Sequence, residues 1–284
     1  MILNSEDQLD KFIEIWLNED IGDGDHTTLS TIPSGDKGKA RLLVKQLGII
    51  SGIRVAARIY NKFDKDLQLE VFIKDGSNIK PGDVVFEIQG SLRSILQTER
   101  LVLNILQRMS GVSTQTREYV DKLNGLKTKV LDTRKTTPGI RLLEKEAVKL
   151  GGGENHRFGL YDMVLIKDNH IDFAGGIEQV LKQIRMYLEN KNKNLKIAIE
   201  ARTLRDITEI LRIGGVNRIL IDNFNLEMTR EAVKMIGSTC EIESSGGITI
   251  ENIREYAECG VDYISVGALT HQIKSLDLSL KAAF

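Results

Sequence analysis

The first half of the chain mixes helical and strand-like patterns of apolar residues. Between residues 9 and 17, apolar side chains recur three and four positions apart, which predicts one amphipathic helix. Ser5, followed three positions later by Gln8, predicts a capping box at the start of that helix. A long helix is predicted from residue 91 to about residue 123, where Leu101 and Ile105 share one apolar face. The elements predicted between these two helices are strands at 39–44, 67–73 and 83–89 and a helix near 53–63.

The second half of the chain repeats a single type of unit. Short β-branched cores follow one another, and stretches of helical periodicity separate them. The cores are centred at residues 131, 165, 198, 220, 242 and 264, so that the last three intervals are each 22 residues. Strands that alternate with helices at such intervals indicate repeated βα units and a parallel sheet. Near-constant spacing favours a barrel, and the segment is too short for eight units, so we expect a truncated barrel of six or seven strands.

These two patterns predict an α/β protein with two domains. We expect an N-terminal α+β domain in residues 1–110 and a catalytic parallel α/β barrel in residues 111–272. The length of 284 residues is compatible with two domains of ordinary size.

Composition and charge exclude several classes of protein. The 39 Lys and Arg residues nearly balance the 40 Asp and Glu residues, which excludes a generally basic surface for nucleic acid but permits a local cationic pocket. Two cysteines, Cys240 and Cys259, are too few for a disulfide framework, and we expect buried free thiols. Since no apolar run approaches the ~18 residues of a membrane helix and no signal peptide is recognised, we expect a cytoplasmic protein.

Charged residues or glycines follow every predicted strand of the barrel. The carboxyl ends of parallel barrel strands meet at one face, which is where barrel enzymes place their active sites. A single charged residue after one strand would be interpreted as a solvated surface charge. Charged residues or glycines after all six strands instead predict a functional rim at the carboxyl-terminal face of the barrel. The rim contains five cationic or titratable groups, two carboxylates and a set of glycine turns: Arg134, Lys135, His156, Arg157, Lys167, Glu200, Asp222, Ser245, Gly246, Gly247 and Gly267.

The residue types on this rim indicate a substrate with several negative groups. Arginine binds planar carboxylates through two parallel hydrogen bonds, and lysine supplies a movable charge. Glycine turns that precede helices on two late strands match the common phosphate site of such barrels. The carboxylates Glu200 and Asp222 are placed to hold a metal, ribose hydroxyls or a developing positive charge.

Taken together, the motifs resemble those of the quinolinate phosphoribosyltransferases. The resemblance covers roughly residues 19–271, and its Arg-Lys pair and glycine-rich Asn-His-Arg run are specific in combination. The motifs are EDIGDGD at 19–25, ER at 99–100, DTRKTTPG at 132–139, GGGENHR at 151–157, LIKDNH at 165–170, IDN at 221–223, SGG at 245–247 and SVGALTH at 265–271. The resemblance implies a sandwich-like N-terminal domain, a barrel of fewer than eight strands, and a C-terminal tail, residues 273–284, that returns to the N-terminal domain.

The same resemblance implies a reaction and a role for each rim residue. In this family, phosphoribosyl passes from phosphoribosyl pyrophosphate to quinolinate, with Mg²⁺ as cofactor, and nicotinate mononucleotide, pyrophosphate and CO₂ are released. The implied catalytic residues are Lys135, Glu200 and Asp222, and the two carboxylates are also candidate metal ligands. The implied substrate-binding residues are Arg100, Arg134, Lys135, His156, Arg157, Lys167, Glu200, Asp222, Ser245, Gly246, Gly247 and Gly267.

The resemblance further implies a homodimer with shared active sites. Arg100 is expected to reach across the interface into the partner's barrel, and both a dimer and a hexamer assembled from dimers are compatible with this arrangement. We expect neither a nucleic acid nor a membrane among the partners.

Three other functions are weighed against this interpretation. A related phosphoribosyltransferase-like protein of molybdenum transport shares the fold, but the full set of cations favours a dicarboxylate and therefore quinolinate. A Schiff-base aldolase would use Lys167 as its nucleophile, which requires an amine with a lowered pKa. A lipoyl-type carrier is suggested by the segment 71–88, which lacks a marked acceptor lysine.

Overall fold

The chain forms two compact units, and each unit is assembled from separate stretches of the sequence. The computed structural model describes residues 5–283 and, at Ser5, the backbone alone, so the side chain of the predicted capping box lies outside the described residues. The first unit consists of Met1–Gln115, Pro138–Gly152 and Ile273–Phe284, and the second of Thr116–Thr137 and Gly153–Gln272.

The first unit combines an antiparallel sheet with helices. Its strands are β1 (Lys37–Val44), β2 (Gly48–Ile49), β3 (Gln68–Val71), β4 (Asn78–Ile79), β5 (Val84–Ser91) and the last strand of the chain, β12 (Leu278–Ala283). Its helices are α1 (Ser5–Ile21), α2 (His26–Thr31), α3 (Ile53–Phe63), α5 (Arg141–Leu150) and the greater part of α4 (Leu92–Lys122). The main sheet has the order β12-β1-β5-β3, and β2 pairs with β4.

Alternation along β1 explains why this sheet has one buried face. Ala40, Leu42 and Val44 are buried, whereas Lys39 and Arg41 point to the other face. The ammonium of Lys39 and the guanidinium of Arg41 both donate to the Glu87 carboxylate on β5, at 2.7 and 2.8 Å. The tail of the chain runs antiparallel to β1, so it completes the sheet of the first unit.

The second unit contains the repeated strands and helices. Its strands are β6 (Lys129–Leu131), β7 (Val164–Ile166), β8 (Ile197–Ala201), β9 (Arg218–Asp222), β10 (Glu241–Ser245) and β11 (Tyr263–Ser265). Its helices, besides the end of α4, are α6 (Asp168–Ala174), α7 (Ile177–Asn190), α8 (Leu204–Ile213), α9 (Leu226–Ile236), α10 (Ile253–Glu258) and α11 (Ala268–His271).

All six strands of the second unit are parallel and lie in the order β6-β11-β10-β9-β8-β7. The predicted parallel sheet is therefore confirmed, with six strands where six or seven were expected. β6 and β7 are the two edge strands of this sheet. Within residues 5–283 no ladder of hydrogen bonds joins them, so the barrel is open between these two strands. Ile219 and Ile221 are fully buried, and the alternate residues of the same strand, among them Leu220 and Asp222, line the barrel interior.

The division into units differs from the predicted domains in two places, because residues 111–115 also cluster with the first unit. The segment 138–152, which contains α5, follows the first barrel strand in sequence but clusters with the first unit. Its helix buries Leu143, Ala147 and Val148, and Ser113 of α4 donates to the Ala147 carbonyl at 2.7 Å.

Neither cysteine forms a disulfide, as predicted. Cys259 is buried and Cys240 is partly buried. Burial raises the pKa of both thiols, which disfavours the reactive thiolate. Of the helices between residues 5 and 283, none has both the length and the apolar character that crossing a bilayer demands.

Candidate active site

The carboxyl ends of the parallel strands surround a cavity of about 810 Å³. This volume lies in the range typical of small-molecule sites. The cavity is lined by every predicted site residue except one: Arg134, Lys135, His156, Arg157, Lys167, Glu200, Asp222, Ser245, Gly246, Gly247 and Gly267. The exception is Arg100, which is exposed on α4 in the first unit.

The order of the strands explains why these residues meet. Lys167 follows β7, Glu200 lies near the end of β8, and Asp222 ends β9. These three strands are consecutive in the sheet, so their ends form one continuous side of the mouth. Ser245 ends β10 on the same rim, directly opposite Asp222 in the strand register.

A buried carboxylate fixes the loop that carries two of the predicted ligands. Asp132 is fully buried after β6. One of its oxygens accepts a hydrogen bond from the Asn155 amide nitrogen at 2.6 Å, and the other accepts from the His156 backbone N–H at 2.8 Å. The DTRK motif thus holds the 155–157 segment against the first barrel strand.

The His156 ring is held between the backbone and a second buried carboxylate. The Arg157 backbone N–H donates to His156 Nδ1 at 2.7 Å, so Nδ1 serves as an acceptor. That nitrogen lies 3.4 Å from Glu243 Oε2 on β10. Burial by itself raises the pKa of Glu243, but His156 and Arg218 outweigh burial, so this pKa lies below its ordinary value and Glu243 is ionised.

Arg157 shows that the cavity favours an anion. Burial, and then the charge of Arg134, lower the pKa of the Arg157 guanidinium. One terminal nitrogen of Arg157 donates to the Met163 carbonyl at 3.2 Å, and its buried Nε has no hydrogen-bond partner among the described residues. Two guanidinium groups held this close leave a site for a negatively charged ligand.

Lys167 and Glu200 form an ion pair at the mouth of the cavity. The Lys167 ammonium lies 3.4 Å from Glu200 Oε1, and the other oxygen accepts from the Asp168 backbone N–H at 3.2 Å. The Lys167 side chain is 51% exposed, whereas a Schiff-base lysine is usually a desolvated amine. His170 Nδ1 accepts from the Lys167 backbone N–H at 2.9 Å, so His170 supports the turn and does not face a ligand through that nitrogen.

Asp222 is oriented by its neighbours. The Ser245 hydroxyl donates to Asp222 Oδ1 at 2.9 Å, and the Asn223 amide donates to Oδ2 at 2.8 Å. Because the Ser245 hydroxyl proton is engaged in this way, the backbone amides of the following glycines are the remaining donors for an anion.

The glycine turn after β10 depends on a close approach of two loops. Gly246 and Gly247 both have positive φ, at 87° and 63°, and so does Asn223, at 57°. A Cβ on Gly246 would collide with the Asn223 side chain and come within 2.8 Å of its backbone nitrogen. A helix follows this turn, as predicted, but α10 begins only at Ile253, so Gly246 and Gly247 do not cap it.

Gly267 is the second glycine of the predicted phosphate site. It caps α11 directly, as expected, although that helix has only four residues. A Cβ at this position would lie 2.8 Å from His271 Nε2 and 3.1 Å from Lys135 Cδ. The absence of a side chain here lets Lys135 and His271 approach the same backbone.

Several cavity residues were not predicted from the sequence. Glu243 lies in the strand core centred at residue 242 and His271 ends the motif at 265–271, but neither is among the predicted site residues. Glu243 could have been identified from the sequence, because it is a carboxylate inside an otherwise apolar strand. Such a group is rarely buried without a partner. The other unpredicted polar lining residues are Thr133, Asn223, Thr249, Ser265 and Gln272.

Comparison with known proteins assigns the chain to a family. A family profile described as "Quinolinate phosphoribosyl transferase, C-terminal domain" matches residues 112–281, and the corresponding N-terminal domain profile matches residues 25–110. A mitochondrial quinolinate phosphoribosyltransferase [decarboxylating] of Nicotiana glauca is 40% identical over 288 residues, covering 96% of this chain and 82% of that protein. A probable nicotinate-nucleotide pyrophosphorylase [carboxylating] of Bacillus subtilis is 40% identical, covering 96% of this chain and 93% of that one.

Solved structures give the same assignment. NadC from Streptococcus pyogenes superposes with a TM-score of 0.92 at 37% identity, over 98% of both chains. The nicotinate-nucleotide pyrophosphorylase from Francisella tularensis has a TM-score of 0.92 at 36% identity, over 98% of this chain and 96% of that one. The chain therefore belongs to the quinolinate phosphoribosyltransferase family.

Proposed function

We propose that this protein transfers phosphoribosyl from phosphoribosyl pyrophosphate to quinolinate and decarboxylates the product to nicotinate mononucleotide, a step of de novo NAD synthesis. The observation that carries this proposal is a single cavity that combines clustered cations, two carboxylates and a glycine turn. Each of these three groups matches one part of the substrates: the acceptor, the ribose and the phosphate.

The cations fit the acceptor. Quinolinate is planar and carries two adjacent carboxylates, and arginine side chains bind such groups through paired hydrogen bonds. Arg134 is close enough to lower the pKa of Arg157, and Lys167 lies on the same rim. These residues, with His156, would hold the ring so that its nitrogen faces the ribose.

The glycine turns fit the donor. The backbone amides of Gly246 and Gly247, together with Gly267, would receive the 5′-phosphate. Lys135, whose side chain passes Gly267, is placed to neutralise a phosphate or the pyrophosphate group. Ser245 would act through Asp222, to which its hydroxyl donates.

The carboxylates fit the transition state. The ring nitrogen forms a bond to the anomeric carbon while the bond from that carbon to the pyrophosphate oxygen breaks, and the ribose gains oxocarbenium character. Glu200 and Asp222 would bind the ribose hydroxyls and favour this positive charge. Holding both anionic substrates together lowers the entropic part of the barrier.

Decarboxylation then needs little from the protein. The carboxylate beside the ring nitrogen leaves as CO₂, and the electron pair of the broken carbon–carbon bond stays on the ring carbon, where the adjacent pyridinium charge stabilises it. A proton on that carbon completes nicotinate mononucleotide. The nitrogen attacks as a neutral base, so no side chain has to remove a proton from it.

Magnesium is the proposed cofactor. Carboxylate oxygens are hard ligands, and Mg²⁺ is commonly held by one or two carboxylates together with substrate phosphates. Glu200 and Asp222 fit this donor set, and no group of three or more potential ligands for a metal occurs in residues 5–283. When bound, the ion would neutralise charge on the pyrophosphate leaving group.

We also propose a homodimer in which the partner completes the active site. A groove of about 540 Å³ lies beside the cavity, is largely apolar, and shares Arg157 and Leu165 with it. Large apolar side chains around it are exposed, with Phe173 at 89%, which is unusual for a free surface. A second copy that covered this groove would reach the cavity, and the exposed Arg100 is the side chain that it would contribute.

The cytoplasmic location expected from the sequence stays a prediction.

The direct test is product analysis by mass spectrometry. The protein is incubated with Mg²⁺ and phosphoribosyl pyrophosphate, with quinolinate in one sample and nicotinate in another. We expect nicotinate mononucleotide from quinolinate alone, because only a dicarboxylate engages the full set of cations. Product from nicotinate alone would refute the assigned acceptor, and folded protein that gives no product in either sample would favour the related protein of molybdenum transport.

Replacing Gly246 should close the phosphate site. In Gly246→Ala, the new Cβ would push the Asn223 loop away, and we expect kcat/KM for phosphoribosyl pyrophosphate to fall about 100-fold. The control is Gly237→Ala, at a position that also has a positive φ, 55°, but has open space around it and lies outside the cavity. Both variants should lose some stability, so an equal kinetic loss in both would show that strain, and not the close approach at Gly246, is responsible.

Mixed dimers test the shared site. Arg100→Ala and Glu200→Gln should each be nearly inactive alone. If Arg100 serves the partner's cavity, a heterodimer of the two has one site with both changes and one with neither, so random mixing should restore about a quarter of the wild-type activity. Heterodimers that form but regain no activity would place Arg100 in the cavity of its own chain or outside the site.

A further inference from the structure

A chain of charged groups, of which Arg218 and Glu243 are buried, runs beneath the cavity, and the proposed reaction gives a task only to its last member, His156. The chain consists of Glu241, Arg218, Glu243 and His156, and it lies on the inward faces of β9 and β10 and in the loop that precedes β7. Groups of this kind are costly to bury, so each requires a physical reason for its presence.

Arg218 is the centre of this chain. It begins β9 and is only 7% exposed. Its Nε and one terminal nitrogen donate to Glu241 Oε2 at 2.9 and 2.8 Å, and its other terminal nitrogen donates to Glu243 Oε2 at 2.8 Å. The guanidinium also stacks 4.1 Å from the centroid of the Tyr263 ring. Arg218 is therefore fixed on three sides.

Glu243 uses its two oxygens unequally. Oε2 faces both Arg218 and His156 Nε2, at 2.8 and 3.4 Å, whereas Oε1 has no hydrogen-bond partner among residues 5–283. A carboxylate whose only task was to neutralise Arg218 would pair through both oxygens, as arginine geometry favours. The observed position instead places one oxygen between the guanidinium and the imidazole.

The position of this oxygen determines which nitrogen of His156 carries the proton. A negative oxygen beside Nε2 favours a proton there, which leaves Nδ1 as an acceptor. Nδ1 in turn receives the Arg157 backbone N–H at 2.7 Å. The ring side chain is 7% exposed, so it has little freedom to rotate and satisfy these groups in another way.

We propose that Glu243, clamped by Arg218, is a positioning residue that keeps the His156 proton on Nε2 and thereby fixes the backbone that presents Arg157 to a carboxylate of the acceptor. This inference deepens the proposed function and rests on it for the identity of the acceptor. The consequence is that Glu243 acts on acceptor binding and not on the phosphoribosyl donor.

The first test is nuclear magnetic resonance of ¹⁵N-histidine in the wild-type protein above neutral pH. The chain has four histidines, and His156 is assigned as the signal lost in His156→Gln. We expect the His156 proton on Nε2, with Nδ1 unprotonated. A proton found on Nδ1 overturns the proposal, and because this measurement needs no turnover it stands even if the protein acts on a different acceptor.

The second test compares two carboxylates that pair with the same arginine. In Glu243→Gln, we expect protonation to spread to Nδ1 and KM for quinolinate to rise about tenfold, the effect of losing one charge-assisted hydrogen bond. KM for phosphoribosyl pyrophosphate should stay within about twofold, since the donor contacts lie elsewhere on the rim. Glu241→Gln removes the other partner of Arg218 and should leave the His156 signal and both KM values unchanged.

Two results of the comparison between Glu241→Gln and Glu243→Gln would overturn the proposed role of Glu243. Equal effects in Glu241→Gln and Glu243→Gln would show that the ion pairs serve only the fold and would overturn the proposal. An equal rise of both KM values in Glu243→Gln would do the same. If Glu243→Gln does not fold, Glu243→Asp retains the charge but withdraws the oxygen from Nε2, and the same shift of the proton to Nδ1 is expected.

Discussion

Positive groups gathered in one cavity repel one another, and the site depends on the carboxylates that hold them in place. Asp132 fixes the loop of His156 and Arg157, Glu243 faces the His156 ring, and Glu200 pairs with Lys167. These carboxylates offset part of the repulsion, but burial, and then the charge of Arg134, still lower the pKa of Arg157, so its positive charge is not fully balanced within the cavity. A dianionic ligand supplies the missing negative charge, which is why this geometry suits an acceptor with two carboxylates.

The parallel sheet is what makes this arrangement possible. Residues far apart in sequence arrive at one rim because every strand runs in the same direction, and alternation places only every second side chain inside. For this reason the period of the strand cores predicts the six strands of the second unit, and the residues at their ends, such as Lys167, Glu200 and Asp222, line its cavity. The same reasoning predicted three strands of the first unit, β1, β3 and β5, and in β1 Ala40 and Leu42 alternate with charged residues.

The sequence could not show contacts that depend on how two strands pair in register. It also could not show to which unit a connecting segment belongs. Arg218 meets Glu243 only because β9 and β10 pair in the observed register, and no local pattern specifies that contact. The segment 138–152 looks like an ordinary βα connection, yet it clusters with the first unit. The turn at Gly246 owes its shape to Asn223 on a neighbouring loop and not to a helix that follows it.

The central claim is that the cations of the cavity recognise two adjacent carboxylates. Isothermal titration calorimetry can test this claim without turnover, with benzene-1,2-dicarboxylate and benzoate as ligands that share a ring but differ by one carboxylate. The account predicts that the dicarboxylate binds about tenfold more tightly or better, because one further charge-assisted pair forms. Equal affinity for the two ligands would contradict it, since the cations would then serve the phosphates and not the acceptor.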